Sequence, residues 1–143
     1  MTFEDHIADA KAAGDPARLA EEVPFAGFLG LSLGLDGEGL FCKVAGDEKL
    51  VGNPTLPALH GGVLGSLLES AAIFLLIWEI ETPTIPKTIN MSIDYLRSGR
   101  PVDTFARGVV TKQGRRVANV RVEAWQEDAR SPIAAAHGHF LLA

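Results

Sequence analysis

Residues 60–79 of the chain read HGGVLGSLLESAAIFLLIWE, a His-Gly-Gly turn followed by an apolar run. The run predicts one long helix from about Gly61 to Glu79. This helix is apolar on most of its circumference, which indicates that other structure wraps it. Its first N–H groups have no intrahelical acceptors and lie at the positive end of the helix dipole. They are therefore suited to bind an oxyanion or a polarised carbonyl.

One carboxylate, Glu69, interrupts the apolar run, and burying it would be costly unless it were paired or used in chemistry. Glu69 lies about 180° around the helix axis from His60, and about 12 Å along the axis from Gly61. One helix therefore cannot bring its own first N–H groups and its own Glu69 to the same carbonyl. Either the two features are unrelated, or a twofold dimer with antiparallel helices shares two interfacial sites.

A stripe of small or polar residues surrounds this carboxylate on the helix and consists of Gly65, Ser66, Glu69 and Ser70. Such a stripe would suit a substrate channel. The alternative is that the stripe faces solvent while the rest of the helix is core, because most helical glutamates are surface residues. The sequence leaves both interpretations open.

Length and composition limit the class of protein. The 143 residues, 47% of them hydrophobic, fit one domain, 1–143, with a normal core. The net charge of −5 and the scattered basic residues argue against nucleic-acid binding. A single cysteine, Cys42, leaves no intrachain disulfide and no Cys-rich metal site. Without a signal-peptide pattern, and with two glutamates in the apolar run, we expect a cytoplasmic protein that does not span a membrane.

Before the long helix, the pattern predicts a helical segment and a hairpin. Residues 3–22 are predicted as a peripheral N-terminal helix broken at Gly14-Asp15-Pro16, and residues 24–30 as a connector. Strands at 31–35 and 40–45 would pair across a Gly-containing turn. Two prolines keep residues 53–57 out of any helix.

After the helix, which Thr82-Pro83 and Pro86 should close, the hydrophobic period changes to that of strands. The predicted strands are 88–96, 103–111, 117–126 and 133–142. We interpret them as a meander, so the fold class is α+β, with one antiparallel sheet curled around one helix.

The pattern Asn53…His60-Gly61-Gly62-Val63-Leu64-Gly65-Ser66-Leu67-Leu68-Glu69 resembles the hotdog-fold acyl-CoA thioesterases of the phenylacetyl-CoA (PaaI-like) and 4-hydroxybenzoyl-CoA type. Residues 88–97 resemble the strand that follows the helix in that family, and 134–140 its last strand. The resemblance implies a thioester hydrolase that is a homodimer or a dimer of dimers (homotetramer). It also implies that coenzyme A enters as part of the substrate, with no metal and no separate cofactor.

The resemblance further implies catalytic roles at the helix. Gly62, together with Gly61, would donate backbone N–H groups to the thioester carbonyl. Glu69 of the partner subunit would attack as nucleophile or activate water as general base.

Supporting roles are implied for polar residues nearby. His60 would order the turn, and Thr88 corresponds to a hydroxyl that helps hold the water in relatives with aspartate in place of the glutamate. Asn53 resembles a polar residue that steadies the carboxylate or the water, and Thr55 is a rival for that role because the loop is longer here than in some relatives.

Other candidates carry two interpretations each. Arginines in the predicted turns could contact the phosphates of coenzyme A or could serve ordinary solubility. They are Arg97, Arg100, Arg115 and Arg116. His137 and His139 share one face of the last strand, a spacing that could suit a metal, but packing is favoured because no third ligand supports a site.

Two rival functions remain at this point. A hotdog dehydratase would need a catalytic His beside an acid on the helix, whereas His60 precedes this helix. A non-catalytic acyl-CoA or acyl-carrier binding module would gain nothing from a buried Glu69. The apolar side chains of Leu68, Ile73 and Phe74 suit aryl, medium-chain and branched acyl groups alike.

Overall fold

A computed structural model of the chain describes residues 1–81 and 85–142. In these residues the helices are α1 (Phe3–Ala13), α2 (Ala17–Glu21), α3 (Pro24–Leu29) and α4 (Gly61–Glu79), with a 3₁₀ turn at Glu48–Leu50. The strands are β1 (Leu31–Asp36), β2 (Gly39–Val44), β3 (Val51–Asn53), β4 (Ala58–Leu59), β5 (Lys87–Tyr95), β6 (Thr104–Gln113), β7 (Val117–Trp125) and β8 (Ala134–Leu141). The predicted α4, the hairpin β1–β2 and strands β5 to β8 are confirmed. The expected helix stop at Thr82-Pro83 lies outside the described residues.

The main sheet has the strand order β1-β2-β6-β7-β8-β5, and every neighbouring pair is antiparallel. The predicted meander is therefore wrong for β5, which pairs with β8 at the far edge instead of with β6. The connection after β5 does not turn back tightly; the N–H groups of Leu96 and Arg97 donate to the Ile133 carbonyl just before β8. Alternating hydrophobicity identifies strands but does not encode which strand is the neighbour.

The curled sheet packs its inner face on α4, which is the hotdog arrangement that the resemblance implied. Helix residues Leu67, Leu68 and Leu76 are fully buried, and β7 faces them with Val120 and Val122. By length and composition α4 would also qualify as a membrane span, but more than half of that apolar window is buried inside the fold. Its packing is that of a core helix.

The N-terminal helix breaks as predicted, because Gly14 ends α1 in the left-handed conformation (φ 65°). The segment is less peripheral than expected, since Ile7 and Ala10 are buried in the common core. Lys11 reaches the C-terminal end of α4, where its Nζ donates to the Ile80 carbonyl at 2.8 Å. A cation at this position also complements the helix dipole.

Three short elements differ from the prediction. The expected connector at 24–30 contains α3, which starts with Pro24 in its first turn and ends at Gly30 with φ 70°. Six residues are too few to display a helical hydrophobic period. The proline loop is flanked by β3 and β4, which pair as a small separate sheet and are also too short to show alternation.

Candidate active site

The start of α4 is organised by His60, which precedes the helix in an extended conformation (φ −61°, ψ 135°). Its Nδ1 accepts a hydrogen bond from the Gly62 N–H at 2.8 Å, and its carbonyl accepts from the Val63 N–H at 2.9 Å. Within the described residues the Gly61 N–H has no acceptor, as expected for the first N–H of a helix. The glycine turn thus presents one vacant donor beside one that a side chain occupies.

Tyr95 is a residue of this site that the sequence analysis missed. Its hydroxyl donates to the Gly61 carbonyl at 2.9 Å, and a Cβ on Gly61 would stand 3.4 Å from the Tyr95 ring. The available signal was the alternation of Met91, Ile93 and Tyr95 in β5, which places Tyr95 on the face of the strand whose other two side chains pack against the core. Tyr95 therefore holds the C-terminal end of β5 over the first turn of α4.

Glu69 lies under the opposite end of the same strand. It is half-buried, and the Thr88 hydroxyl donates to its Oε2 at 2.9 Å. The stripe of small residues runs beneath β5, because Gly65 lies close to the Ile93 side chain. The stripe is therefore covered in part by the edge strand and does not simply face solvent.

Within one chain, the glycine turn and Glu69 are well separated. They are about 12 Å apart along α4, and the two β5 residues that cover them, Tyr95 and Thr88, are about 23 Å apart along the strand. One protomer therefore does not bring the two groups to a common point, in agreement with the helical geometry of the sequence.

The Thr88–Glu69 hydrogen bond predicts a specific mutant phenotype. Under the activity and the Glu69 role that the family resemblance implies, Thr88→Val, which keeps the shape and removes the hydroxyl, should lower kcat by about 10-fold, because one Glu69 oxygen loses its positioning donor. Thr88→Ser should restore most of the rate. The split between kcat and KM is the accompanying readout, because loss of a positioning hydroxyl should lower kcat and leave KM within about twofold. Equal kcat in all three proteins, or a loss in Thr88→Val that Thr88→Ser does not restore, would contradict a positioning role.

Asn53 and its rival Thr55 contact each other across the exposed proline loop. The Asn53 Oδ1 accepts from the Thr55 backbone N–H at 3.0 Å, and both residues are exposed. Among the described residues, neither Asn53 nor Thr55 forms a hydrogen bond to Glu69 of the same protomer. Both stay candidates for contact with a second subunit.

The four candidate arginines form two pairs at opposite ends of the sheet. Arg97 and Arg100 border a cavity before β8, and Arg100 forms an ion pair with Glu127. Arg115 and Arg116 occupy the β6–β7 turn, where the Arg116 carbonyl accepts from an N–H just after β8. The length of β8, about 23 Å, separates the pairs, so one chain does not assemble a single basic site from them.

The histidines of β8 have ordinary surroundings. The His139 Nδ1 lies 2.8 Å from the Asn90 side-chain oxygen, and His137 is exposed. Among residues 1–81 and 85–142, no group of three or more His, Cys, Asp and Glu side chains is placed to hold a metal ion. The expected absence of a metal stays a prediction.

A pocket of about 270 Å³ lies beside the glycine turn, and we call it the α3 pocket. It is lined by Phe28, Leu29, Lys49, Leu50, Val51, His60 and Val63. Sequence reasoning missed this pocket because four of its lining residues belong to α3 and the 3₁₀ turn, neither of which was predicted.

Comparisons with known proteins bear on the family and the fold. The Thioesterase superfamily profile matches residues 56–133. The chain is 34% identical over 121 residues to the medium/long-chain acyl-CoA thioesterase YigI of Salmonella typhimurium, covering 74% of this chain and 77% of that protein. A crystal structure from Chromobacterium violaceum is 39% identical, with a TM-score of 0.80 and 97% of each chain covered.

The fold is also that of a putative thioesterase from Ralstonia eutropha described as phenylacetic acid degradation-related. That structure is 23% identical, with a TM-score of 0.74, and covers 88% of this chain and 98% of its own. The family profile and the Salmonella relative carry the assignment beyond fold alone. The chain belongs to the thioesterase superfamily and is a hotdog-fold thioester hydrolase.

Proposed function

We propose that the protein hydrolyses acyl-CoA thioesters to a free acid and coenzyme A, and that its substrates carry medium or long acyl chains. The observation that carries the proposal is the half-buried carboxylate of Glu69 on α4, which accepts a hydrogen bond from Thr88. The first turn of the same helix presents N–H donors. The similarity to a relative named for medium- and long-chain acyl-CoA supports the substrate class. Aryl-CoA is the other class that the sequence resemblance implied.

The active unit is a twofold dimer in this proposal. β5 is a nine-residue strand at the edge of the sheet, and Ile89 and Tyr95 on it are about half exposed. A long edge strand with exposed apolar side chains favours pairing with another strand. Antiparallel pairing of two β5 strands about Met91 would bring Thr88 and Glu69 of one protomer near the Tyr95 end of the other.

In such a dimer the chemistry divides between subunits. The Gly61 N–H would donate to the thioester carbonyl, and the Gly62 N–H would either be shared with His60 or leave it for the substrate oxygen. Glu69 of the partner subunit would then act by one of two routes. As nucleophile it forms a mixed anhydride and expels the coenzyme A thiolate, and water hydrolyses the anhydride. As general base it removes a proton from the attacking water, and the tetrahedral intermediate expels the thiolate.

The same pairing of β5 strands would bring the candidate arginines of the two protomers to one end of the joined sheet. Arg97 and Arg100 lie at the Tyr95 end of β5, and Arg115 and Arg116 lie beyond its Lys87 end. An antiparallel β5 pair would bring one pair from each protomer to the same end of the joined sheet, with β5 and β8 of the second protomer between them. Together they would form a two-subunit contact for the phosphates of coenzyme A. Assembly of two such dimers and a cytoplasmic location belong to the proposal as well.

A thiol-release assay tests the proposed activity. The panel contains straight-chain acyl-CoA thioesters from acetyl to hexadecanoyl, with benzoyl-CoA and phenylacetyl-CoA as the aryl arm. Burial raises the pKa of the Cys42 thiol well above its ordinary range, so the native protein should add no background to a thiol reagent. We expect the highest kcat/KM on the medium and long chains. Tight binding of acyl-CoA without thiol release would instead support the non-catalytic acyl-CoA or acyl-carrier binding module.

A further inference from the structure

We infer that the α3 pocket holds the acyl chain of the substrate and that Phe28, on its rim, tunes chain-length preference. This inference rests on the proposed function, because it assigns a place to one part of the proposed acyl-CoA substrate. It concerns residues that none of the preceding roles uses, apart from His60.

The pocket begins where the reacting carbonyl would be. His60 both caps α4 and lines the pocket, and Val63 lines it from the first turn of the same helix. A thioester carbonyl bound at the Gly61 N–H would therefore lie within one helical turn of the pocket. One of its two substituents can enter the pocket directly.

The chemistry of the walls favours the acyl chain as that substituent. The inner wall is apolar, since Leu29 is 4% exposed and Leu50 is 6% exposed. The charged group of the pocket, Lys49, lies with its Nζ 3.9 Å from the Asp47 carboxylate and is also preceded by Glu48. A lysine that is already paired with an acid does not favour the phosphates of coenzyme A, whereas a hydrocarbon chain requires no charge.

Phe28 extends the apolar surface outward from the pocket. Its side chain is 68% exposed, and the Lys49 Nζ lies 5.9 Å from its ring centroid. An exposed aromatic ring on a pocket rim is a surface that a longer chain could cover. Each additional buried methylene should strengthen binding about fourfold until the chain passes the ring.

The neighbouring Phe25 offers a matched control on the same helix. It is 52% exposed and stacks on Phe28 with 6.1 Å between ring centroids, but it does not line the pocket. Phe28→Ala and Phe25→Ala therefore remove the same group from similarly exposed positions. Because both rings are exposed, neither change should unfold the protein, and thermal melting of each variant checks this.

The test compares dodecanoyl-CoA with butanoyl-CoA in the wild type and both variants. We expect Phe28→Ala to lower the dodecanoyl-to-butanoyl ratio of kcat/KM by at least about fivefold, mainly through KM, and Phe25→Ala to change it less than about twofold. Calorimetric titration with dodecanoate, the product, gives a second readout that needs no turnover. Its affinity should fall for Phe28→Ala alone.

The outcomes separate this inference from the proposed function. Equal changes in both variants, or no change in either while the wild type turns over, would overturn the pocket assignment and leave the thioesterase proposal standing. If the wild type hydrolyses no acyl-CoA, the proposed function fails and the dodecanoate titration decides the pocket by itself. Dodecanoate binding that is lost in Phe28→Ala and kept in Phe25→Ala would still support an acyl-chain pocket.

Discussion

Replacing Glu69 with glutamine is expected to lower kcat for acyl-CoA hydrolysis by at least about 100-fold, equivalent to ~3 kcal/mol of barrier. Glutamine keeps the size of the side chain, and its amide oxygen can still accept from the Thr88 hydroxyl. The substitution removes only the charge and the basicity that either proposed route requires. Substrate binding should persist, so KM should change much less than kcat.

Glu79 supplies a matched control, because it is an exposed glutamate on the same helix. Glu79→Gln should leave kcat within about twofold of the wild type, since surface substitutions of this kind have small effects. A Glu69→Gln enzyme that keeps more than a tenth of the wild-type rate would exclude this carboxylate from the chemical step. Parallel melting curves would show that both variants are folded.

Labelled water distinguishes the two proposed routes of Glu69 in the wild-type enzyme. A single turnover in heavy-oxygen water should leave label in the Glu69 carboxylate if Glu69 forms an anhydride and water attacks on the enzyme side. General-base catalysis puts the label in the product acid alone. Mass spectrometry of the peptide that contains Glu69 reads the difference.

Much of the site was predictable from the long helix. A nineteen-residue apolar segment fixes its own secondary structure, and the positions of Gly61 and Glu69 on it follow from helical geometry. The separation of these residues, and hence the expectation of a shared site, needed no tertiary information. Thr88 was identified only by family resemblance, and its hydroxyl does contact Glu69.

The remaining features depend on tertiary pairing that local patterns do not encode. The sequence pattern predicts β5 as a strand. Its place at the sheet edge depends on the chain after β5, which hydrogen-bonds to the residue just before β8. The hydrogen bond from the Gly62 N–H to His60 depends on the conformation of the His60 side chain, which the sequence pattern does not specify. The α3 pocket needs two elements that are too short to give a periodic signal.

If the site is shared as proposed, Gly61 provides the second large effect. Gly61→Pro removes the vacant N–H at the first helical position, which proline tolerates well, and the preceding His60 already has the extended conformation (ψ 135°) that proline requires of its neighbour. A Cβ at this position would make an ordinary 3.4 Å contact with the Tyr95 ring. Loss of an oxyanion donor should lower kcat by about 100-fold with the fold kept.

Mixed dimers of Gly61→Pro and Glu69→Gln should then recover activity that neither homodimer has. In a heterodimer isolated with two different affinity tags, one site receives the intact Gly61 of one chain and the intact Glu69 of the other. The second site carries both lesions, so the heterodimer should show about half of the wild-type activity per dimer. If each site were built within one chain, every site would carry one lesion and the heterodimer would stay about as inactive as its parents. Recovery therefore requires that Glu69 act on a carbonyl held by the other subunit.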